Sequence, residues 1–177
     1  MHVFGRRGFA DTTVLDIAEK AGLASGTVYQ YFEDKSDIFR RLLQDLTDRL
    51  HRETRLPTGA DGRLIVREAM LRYLDVYREN ASVFRAWWEL LEPPTEFTAA
   101  WVAVHDRSRR EIGKVIREGQ DRGTINSDVD ADITAELIVA AFERPVYSRM
   151  VLGWEQEYSD EQLVGLMSHL LGSERLG

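Results

Sequence analysis

Four polar residues between positions 25 and 30 have the types and spacing of a surface that hydrogen-bonds to nucleic-acid bases. They are Ser25, Thr27, Tyr29 and Gln30. On a short helix from about residue 24 to 32 they face outward, while Val28 and Phe32 face inward. Gly26 adds no bulk, so the helix backbone can come close to base edges. The chemistry is that of a helix that reads the major groove of DNA.

A helix that begins at Thr13 must position this reading helix. Thr13 and Asp16 have the spacing of a capping box, in which the Thr13 hydroxyl accepts from the Asp16 amide. Gly22 supplies a left-handed residue to end the helix, and Leu23 is expected to be the buried residue of the turn. Apolar residues at intervals of three and four predict one face packed on a core: Val14, Ile17, Ala18 and Ala21.

The stretch from residue 8 to 35 resembles the N-terminal domain of TetR-type transcriptional regulators. The matching positions are Gly8-Phe9, Thr12-Thr13-Val14, Asp16-Ile17-Ala18, Ala21-Gly22, Gly26-Thr27-Val28-Tyr29, Tyr31-Phe32 and Lys35. The resemblance implies a helix-turn-helix that binds double-stranded operator DNA. Its expected DNA contacts are Thr13, Ser25, Gly26, Thr27, Tyr29, Gln30 and a phosphate contact from Lys35. The family usually has Ser where this chain has Ala24, so the second helix is capped by Ser25 or by nothing.

The segment before Gly8 is shorter than the resemblance implies, because the family has a first helix of several turns there. Phe4 fits the last core position of that helix. Either the first helix is truncated or the numbering begins inside a longer protein, and both explanations stay open. Losing that helix would remove core packing and phosphate contacts. An alternative function is therefore a helical dimer that binds a small molecule, with impaired or no DNA binding.

Catalytic and metal-binding patterns are missing from the sequence. The four histidines, His2, His51, His105 and His169, have no paired-ligand spacing, and the chain has no cysteine. Asp128, Asp130 and Asp132 alternate like the start of a calcium loop but lack its glycine and terminal glutamate. A helix cap with solvated charge is the better interpretation. We expect no enzyme activity, no cofactor and no metal.

Charge is divided unevenly along the chain. Residues 1–52 hold eight basic and eight acidic residues, so the net charge of -7 lies entirely in the remainder. A neutral reading domain is compatible with DNA, because two domains in a dimer add their phosphate contacts. The 177 residues, 44% of them hydrophobic, can bury a real core, and no stretch approaches a membrane span. Without cysteines or a signal-peptide core, the chain is expected in the cytoplasm.

Aromatic residues at helical spacing form the second informative pattern. Stripes of this kind usually belong to plain core, but here they are concentrated in the acidic part with Arg85, Glu89 and His105 among them. The combination favours an amphipathic cavity for a small hydrophobic or aromatic effector, and the resemblance places the inducer in this region. The predicted ligand-binding residues are Tyr73, Phe84, Trp87, Trp88, Trp101, His105, Phe142 and Tyr147.

Every segment after residue 34 has a helical pattern, interrupted by a Pro- and Gly-containing loop over 56–62 that marks the domain boundary. A connecting helix is predicted over 35–51, with Ile38, Leu42, Leu46 and Leu50 as its apolar stripe. Pro145 predicts a kink in the helix that contains it. The later helices are predicted over 64–79, 81–92, 95–120, 131–152 and 160–171.

The last two helices resemble the dimerisation pair of the family. Leu163, Leu166, Met167 and Leu170 form the predicted interface, because so leucine-rich a stripe needs a cover. The sequence thus predicts an all-α homodimer with a helix-turn-helix DNA-binding domain over 1–52 and a helical ligand-binding and dimerisation domain over 53–177. The resemblance to the family implies a repressor that is released from its operator when an effector moves the connecting helix.

Overall fold

The computed structural model describes residues 3–54 and 66–170, and all regular structure within these ranges is helical. The predicted boundary loop over 56–62 and the predicted helix start at residue 64 lie outside the described residues. None of the described helices is long and apolar enough to cross a membrane. The helices are α1 Val3–Arg7, α2 Val14–Ala21, α3 Ser25–Tyr29, α4 Lys35–Glu53, α5 Val66–Glu79, α6 Ala81–Trp88, α7 Thr98–Asp121, α8 Ala131–Met150 and α9 Asp160–Leu170.

The capping box predicted for α2 is confirmed. The Thr13 hydroxyl accepts from the Asp16 amide at 3.2 Å, and the Asp16 carboxylate accepts from the Thr13 amide at 2.9 Å. Hydrogen bonds from Thr13 lower the pKa of the Asp16 carboxyl, and Arg7 adds to the shift. Gly22 ends the helix in the left-handed region, with φ of 69°. These local signals determine where α2 begins and where it ends.

The turn after α2 differs from its prediction. Leu23 is half exposed rather than buried, because the small cluster under the turn is filled by Val14, Ala18 and Val28. Helix α3 spans only Ser25–Tyr29, and no side chain caps its N-terminus. It is therefore held by packing of Val28 instead of by a cap.

The connecting helix α4 is capped by Asp34, whose side chain accepts from the Asp37 amide at 2.8 Å. Its predicted stripe is wrong in the first two turns, where Phe39 and Leu43 are buried and Ile38 and Leu42 only partly so. The buried face of α4 is rotated from the predicted one because the helix packs against two hydrophobic clusters. Ile38 packs against both the helix-turn-helix cluster and the main core.

Four phenylalanines join the N-terminal helices to the rest of the chain. Phe39 lies at the centre, with ring centroids 5.0 Å from Phe4, 5.1 Å from Phe9 and 5.2 Å from Phe97. Phe4 on α1 is buried, so its predicted core position is confirmed. We call these residues the Phe39 cluster. It joins α1, the segment before α2 and the start of α4 to the main core of the C-terminal helices.

The C-terminal helices pack mainly as a pair, α7 against α8, with α5 and α9 beside them. Helix α6 ends at Trp88, earlier than predicted, and α8 continues through Pro145 to Met150. Asp160, at the start of α9, pairs with Arg78 of α5 and with Arg149 of α8. Arg149 also donates to the Tyr158 carbonyl at 2.9 Å. These ion pairs fix the position of the last helix.

The Phe39 cluster generates a stability prediction. Phe39→Ala removes a ring that is 0% exposed and leaves a cavity, so the free energy of unfolding should fall by about 3–5 kcal/mol. Urea denaturation followed by circular dichroism, at one fixed protein concentration, measures this change. Tyr31→Ala, at an exposed position of the same region, is the control and should change stability by less than about 0.5 kcal/mol. Equal losses in both variants would show that the cluster is not the junction.

Candidate functional site

The outward face of α3 carries the predicted base-reading residues. Tyr29 and Gln30 are exposed, and Ser25 and Thr27 are partly exposed. Gly26 has an unstrained backbone, and a Cβ added there would meet nothing within 4 Å. The fold itself therefore does not require glycine at this position. A requirement for glycine would have to come from a molecule outside the chain that approaches α3 closely.

Two of the predicted DNA contacts are engaged inside the protein. Lys35 Nζ donates to the carbonyls of Phe9 at 2.9 Å and Ala10 at 2.6 Å. The Thr13 hydroxyl is committed to Asp16, to which it donates at 2.6 Å. An ammonium group has three protons, so one remains on Lys35 for a phosphate. Lys35 thus first ties the start of α4 to the segment that precedes α2.

A partly open cavity of about 100 Å³ lies among α4, α5, α6, α7 and α8. Six of the eight predicted ligand-binding residues line it: Tyr73, Phe84, Trp87, Trp101, His105 and Phe142. The other two, Trp88 and Tyr147, are not on its wall. Trp88 lies between Trp101, which it meets edge-on, and Tyr147, with ring centroids 4.7 and 4.2 Å away, and it donates to the Tyr77 hydroxyl at 3.3 Å. These two rings support the wall from behind.

The polar groups of the cavity differ from those expected. Arg85 and Glu89 are exposed, because a helix that buries Phe84 and Trp87 turns them to solvent. Besides His105, the polar residues that line the cavity are instead Thr54, Ser108, Glu111 and Glu143. Ser108 and Glu111 follow Trp101 and His105 on α7 at helical intervals. Extending that periodicity along the sequence would have identified both residues. Nothing in the sequence pairs Glu143 with a partner 38 positions earlier.

His105 and Glu143 form the central polar contact of the cavity, with Nε2 and Oε1 2.9 Å apart. Burial of the imidazole lowers its pKa, but the hydrogen bond and charge of Glu143, with smaller effects of Glu136 and Asp106, outweigh burial, so the pKa of His105 is raised. Burial raises the pKa of the Tyr73 hydroxyl well above its usual range. That hydroxyl makes no hydrogen bond within the described part of the chain, so it is available to a ligand.

The cavity meets the C-terminal end of the connecting helix directly and is joined to its N-terminal end through intervening residues. Leu50 and Thr54, in and just after the last turn of α4, lie on its wall, and the Thr54 hydroxyl donates to the Leu50 carbonyl at 2.7 Å. Trp87, also on the wall, donates through Nε1 to the Phe97 carbonyl at 3.1 Å. Phe97 belongs to the Phe39 cluster. A change in the cavity can therefore reach both ends of α4.

The predicted dimer interface needs correction. Leu163 and Met167 are buried inside their own chain, so they offer no surface to a partner, and the side chain of Leu170 lies outside the described residues. Leu166 is exposed. The larger exposed apolar stripe lies on α8, at Ile133, Leu137, Ala140 and Ala141. Leu137 is 64% exposed.

Within the ranges that the structure describes, no cluster of three or more His, Asp or Glu side chains could hold a metal ion.

Comparisons with known proteins all find similarity to bacterial transcriptional regulators. Residues 1–42 match the sequence family described as "Bacterial regulatory proteins, tetR family". An uncharacterised helix-turn-helix regulator of Bacillus subtilis, YdgC, is 24% identical over 85% of this chain and 76% of its own length. The repressor KstR2 of Rhodococcus jostii is 26% identical over 74% of this chain and 66% of its own length.

A solved structure shares the whole fold. FadR of Bacillus subtilis, solved in complex with stearoyl-CoA, superposes with a TM-score of 0.68 at 20% identity, over 97% of this chain and 92% of that one. The all-helical architecture predicted from the sequence is thereby confirmed.

The His105–Glu143 pair predicts a pH-dependent stability. Because the folded state raises the pKa of His105, the pair stabilises the protein fully below about pH 6.5, the usual pKa of an unfolded histidine, and loses this effect as pH rises through the folded pKa. The difference in unfolding free energy between wild type and His105→Gln should therefore shrink from pH 6 to pH 9, measured by urea denaturation.

Glu143→Gln supplies the control, since it removes the charge and keeps a side chain of the same shape. In that background the pH trend of the His105→Gln difference should be weaker. A difference that is constant or grows with pH would contradict the role of the pair.

Proposed function

We propose, from the premise that this chain belongs to the TetR family of bacterial regulatory proteins, that it represses transcription and leaves its operator when a small hydrophobic or aromatic effector binds. The observation that carries the proposal is the position of α4. Its first residue, Lys35, is tied to the segment before the helix-turn-helix, and Leu50 near its end lies on the cavity wall. One helix thus touches both functional sites.

Helix α4 can act as a lever between these sites. Its 19 residues span roughly 28 Å, so a small tilt at the cavity displaces its other end. An effector that fits only one position of Leu50 and Thr54 would favour that position through its differential affinity. In a dimer the two α3 helices must match half-sites about 34–36 Å apart, and a tilt changes their separation.

DNA recognition is proposed to divide between two sets of groups. Thr27 on α3 and Gln30 at its C-terminal end are proposed to read base edges in the major groove. Lys35 can give its remaining proton to a phosphate while it holds the carbonyls of Phe9 and Ala10.

Proteins of this family are dimers, and we propose the α8 stripe as the main contact between two copies. Ile133 and Leu137 are the largest exposed apolar residues of α8, and Leu166 of α9 would extend the same surface. A stripe of this kind is stable in water only when another surface covers it.

The effector is proposed to bind in the aromatic cavity. Support comes from six aromatic or imidazole rings on its wall and from the structurally similar FadR, which was solved in complex with stearoyl-CoA, a ligand with a long apolar chain. A regulator of this kind acts on chromosomal DNA, so we place it in the cytoplasm. Binding requires no cofactor, and we propose no catalytic step.

The Gly26→Ala variant tests whether operator recognition can be weakened without a loss of folding stability. A methyl group there meets nothing in the chain and favours the helix, so the free energy of unfolding should stay equal or rise by up to about 1 kcal/mol. Operator affinity should fall roughly tenfold or more, because the methyl group would stand between α3 and the base edges. Electrophoretic shift with the DNA upstream of the gene measures the affinity.

Gln44→Ala, at an exposed position on α4, is the control and should leave operator affinity unchanged. Full operator affinity in Gly26→Ala would contradict the close approach of α3 to DNA. Absence of any specific shift for the wild-type chain would contradict the proposed function itself.

Leu137→Arg tests the dimer. It places a charge in a seam that must be buried between copies, so sedimentation velocity should show monomers and operator binding should be lost. Val102→Arg changes an equally apolar, exposed residue on α7 and should remain dimeric. If Leu137→Arg stayed dimeric, the interface would lie elsewhere.

A further inference from the structure

We infer that the cavity selects an effector that is an organic cation, with an apolar or aromatic body and a permanent or protonated amine. The inference rests on the proposed function, because it assumes that the effector binds in this cavity. It adds the charge of the ligand, which neither the family nor the aromatic walls alone specify.

The walls supply the first part of the argument. The rings of Trp87 and Trp101 lie 5.0 Å apart at 88°, so they form a corner, and both line the cavity. Tyr73 and Phe142 form a second inclined pair, 5.6 Å apart at 58°. Aromatic faces carry negative potential and attract a cation within about 6 Å, most strongly where water is excluded. A cationic group in this cavity would meet several such surfaces.

The charged lining residues supply the second part. Two carboxylates, Glu111 and Glu143, face the cavity, and no Lys or Arg is among the lining residues that the structure describes. Glu111 is already compensated, since it accepts from Arg107 at 2.8 and 3.0 Å. Glu143 is different: its only hydrogen bond in the described ranges is the one between Oε1 and His105, whose positive charge is lost when the imidazole gives up its proton.

At a pH above the pKa of His105, Glu143 is therefore the counter-ion that a cation would find. Its side chain is 13% exposed, so its charge is poorly screened by water. An anionic effector would instead bring like charge next to it without a lysine or arginine in the described lining to compensate, which is unfavourable in a largely apolar cavity. The free hydroxyl of Tyr73 offers a further polar contact.

Three probes of the same size but different charge test the inference on the wild-type dimer. They are phenyltrimethylammonium, its neutral isostere tert-butylbenzene, and the anion benzenesulfonate, each titrated against tryptophan fluorescence. Trp87 and Trp101 on the wall should report binding. We expect saturable quenching by the cation, with affinity roughly tenfold higher than that of the neutral isostere. Benzenesulfonate should bind more weakly than either.

Glu143→Gln then assigns the charge to one residue. The variant should reduce the affinity for the cation to about that for tert-butylbenzene, while the affinity for tert-butylbenzene stays unchanged. Glu136→Gln is the matched control, since Glu136 lies on the same helix but is 67% exposed and not on the cavity wall. It should retain the preference for the cation. If Glu143→Gln does not fold, the wild-type comparison decides alone.

Two results overturn the inference in different ways. Equal or tighter binding of the neutral or anionic probe would overturn the choice of a cation and leave the cavity as a site for apolar effectors. Failure of all three probes to bind, measured also by calorimetry, would overturn the inference together with the cavity's role in the proposed function.

Discussion

The burial of Phe39 is the interaction on which the rest of the structure depends. Its ring contacts Phe4, Phe9 and Phe97, which come from α1, the segment before α2 and the segment before α7. A short helix such as α2 or α3 is not stable alone and gains its stability from tertiary packing. Val14, Ala18 and Val28 supply that packing for α2 and α3, and Ile38 joins this small cluster to the main core at the start of α4. The proposed DNA-reading face is therefore held against a helix whose own position the Phe39 cluster fixes.

Close packing of these rings favours two discrete arrangements of the cluster over a continuous range of ring positions. The Trp87 indole, one wall of the cavity, holds the Phe97 carbonyl at 3.1 Å, and the Phe97 ring packs edge-on against Phe39 at 86°. Rings that interdigitate at these distances cannot slide by fractions of an ångström without repacking. A ligand that displaces Trp87 would therefore move the cluster as a unit, and small shifts at the cavity would become a rotation of α4.

Sequence alone predicted features determined by neighbouring residues and failed where distant segments decide. The Thr13–Asp16 box and Gly22 need only local geometry, and both are present. Helical periodicity showed that α4 and α9 have apolar stripes, but not which surface covers them, so Leu23 was wrongly placed inside and Leu163 was assigned to a partner instead of to the chain's own core. The aromatic walls were found because rings concentrate visibly in the sequence. Glu143 was missed because its contact with His105 joins two helices.

Helix α8 belongs to both surfaces that we propose for binding, the effector cavity and the contact between two copies. Phe142 and Glu143 face the cavity, whereas Ile133 and Leu137 are on the opposite side and open to solvent. A helix that is apolar on both sides shows little amphipathic contrast in its sequence, and such a pattern is typical of a helix buried between two surfaces. If the outer side meets a second copy, the same rigid helix forms the cavity wall and the dimer seam. An effector that shifts α8 then necessarily changes how the two subunits face each other, so release from DNA need not depend on α4 alone.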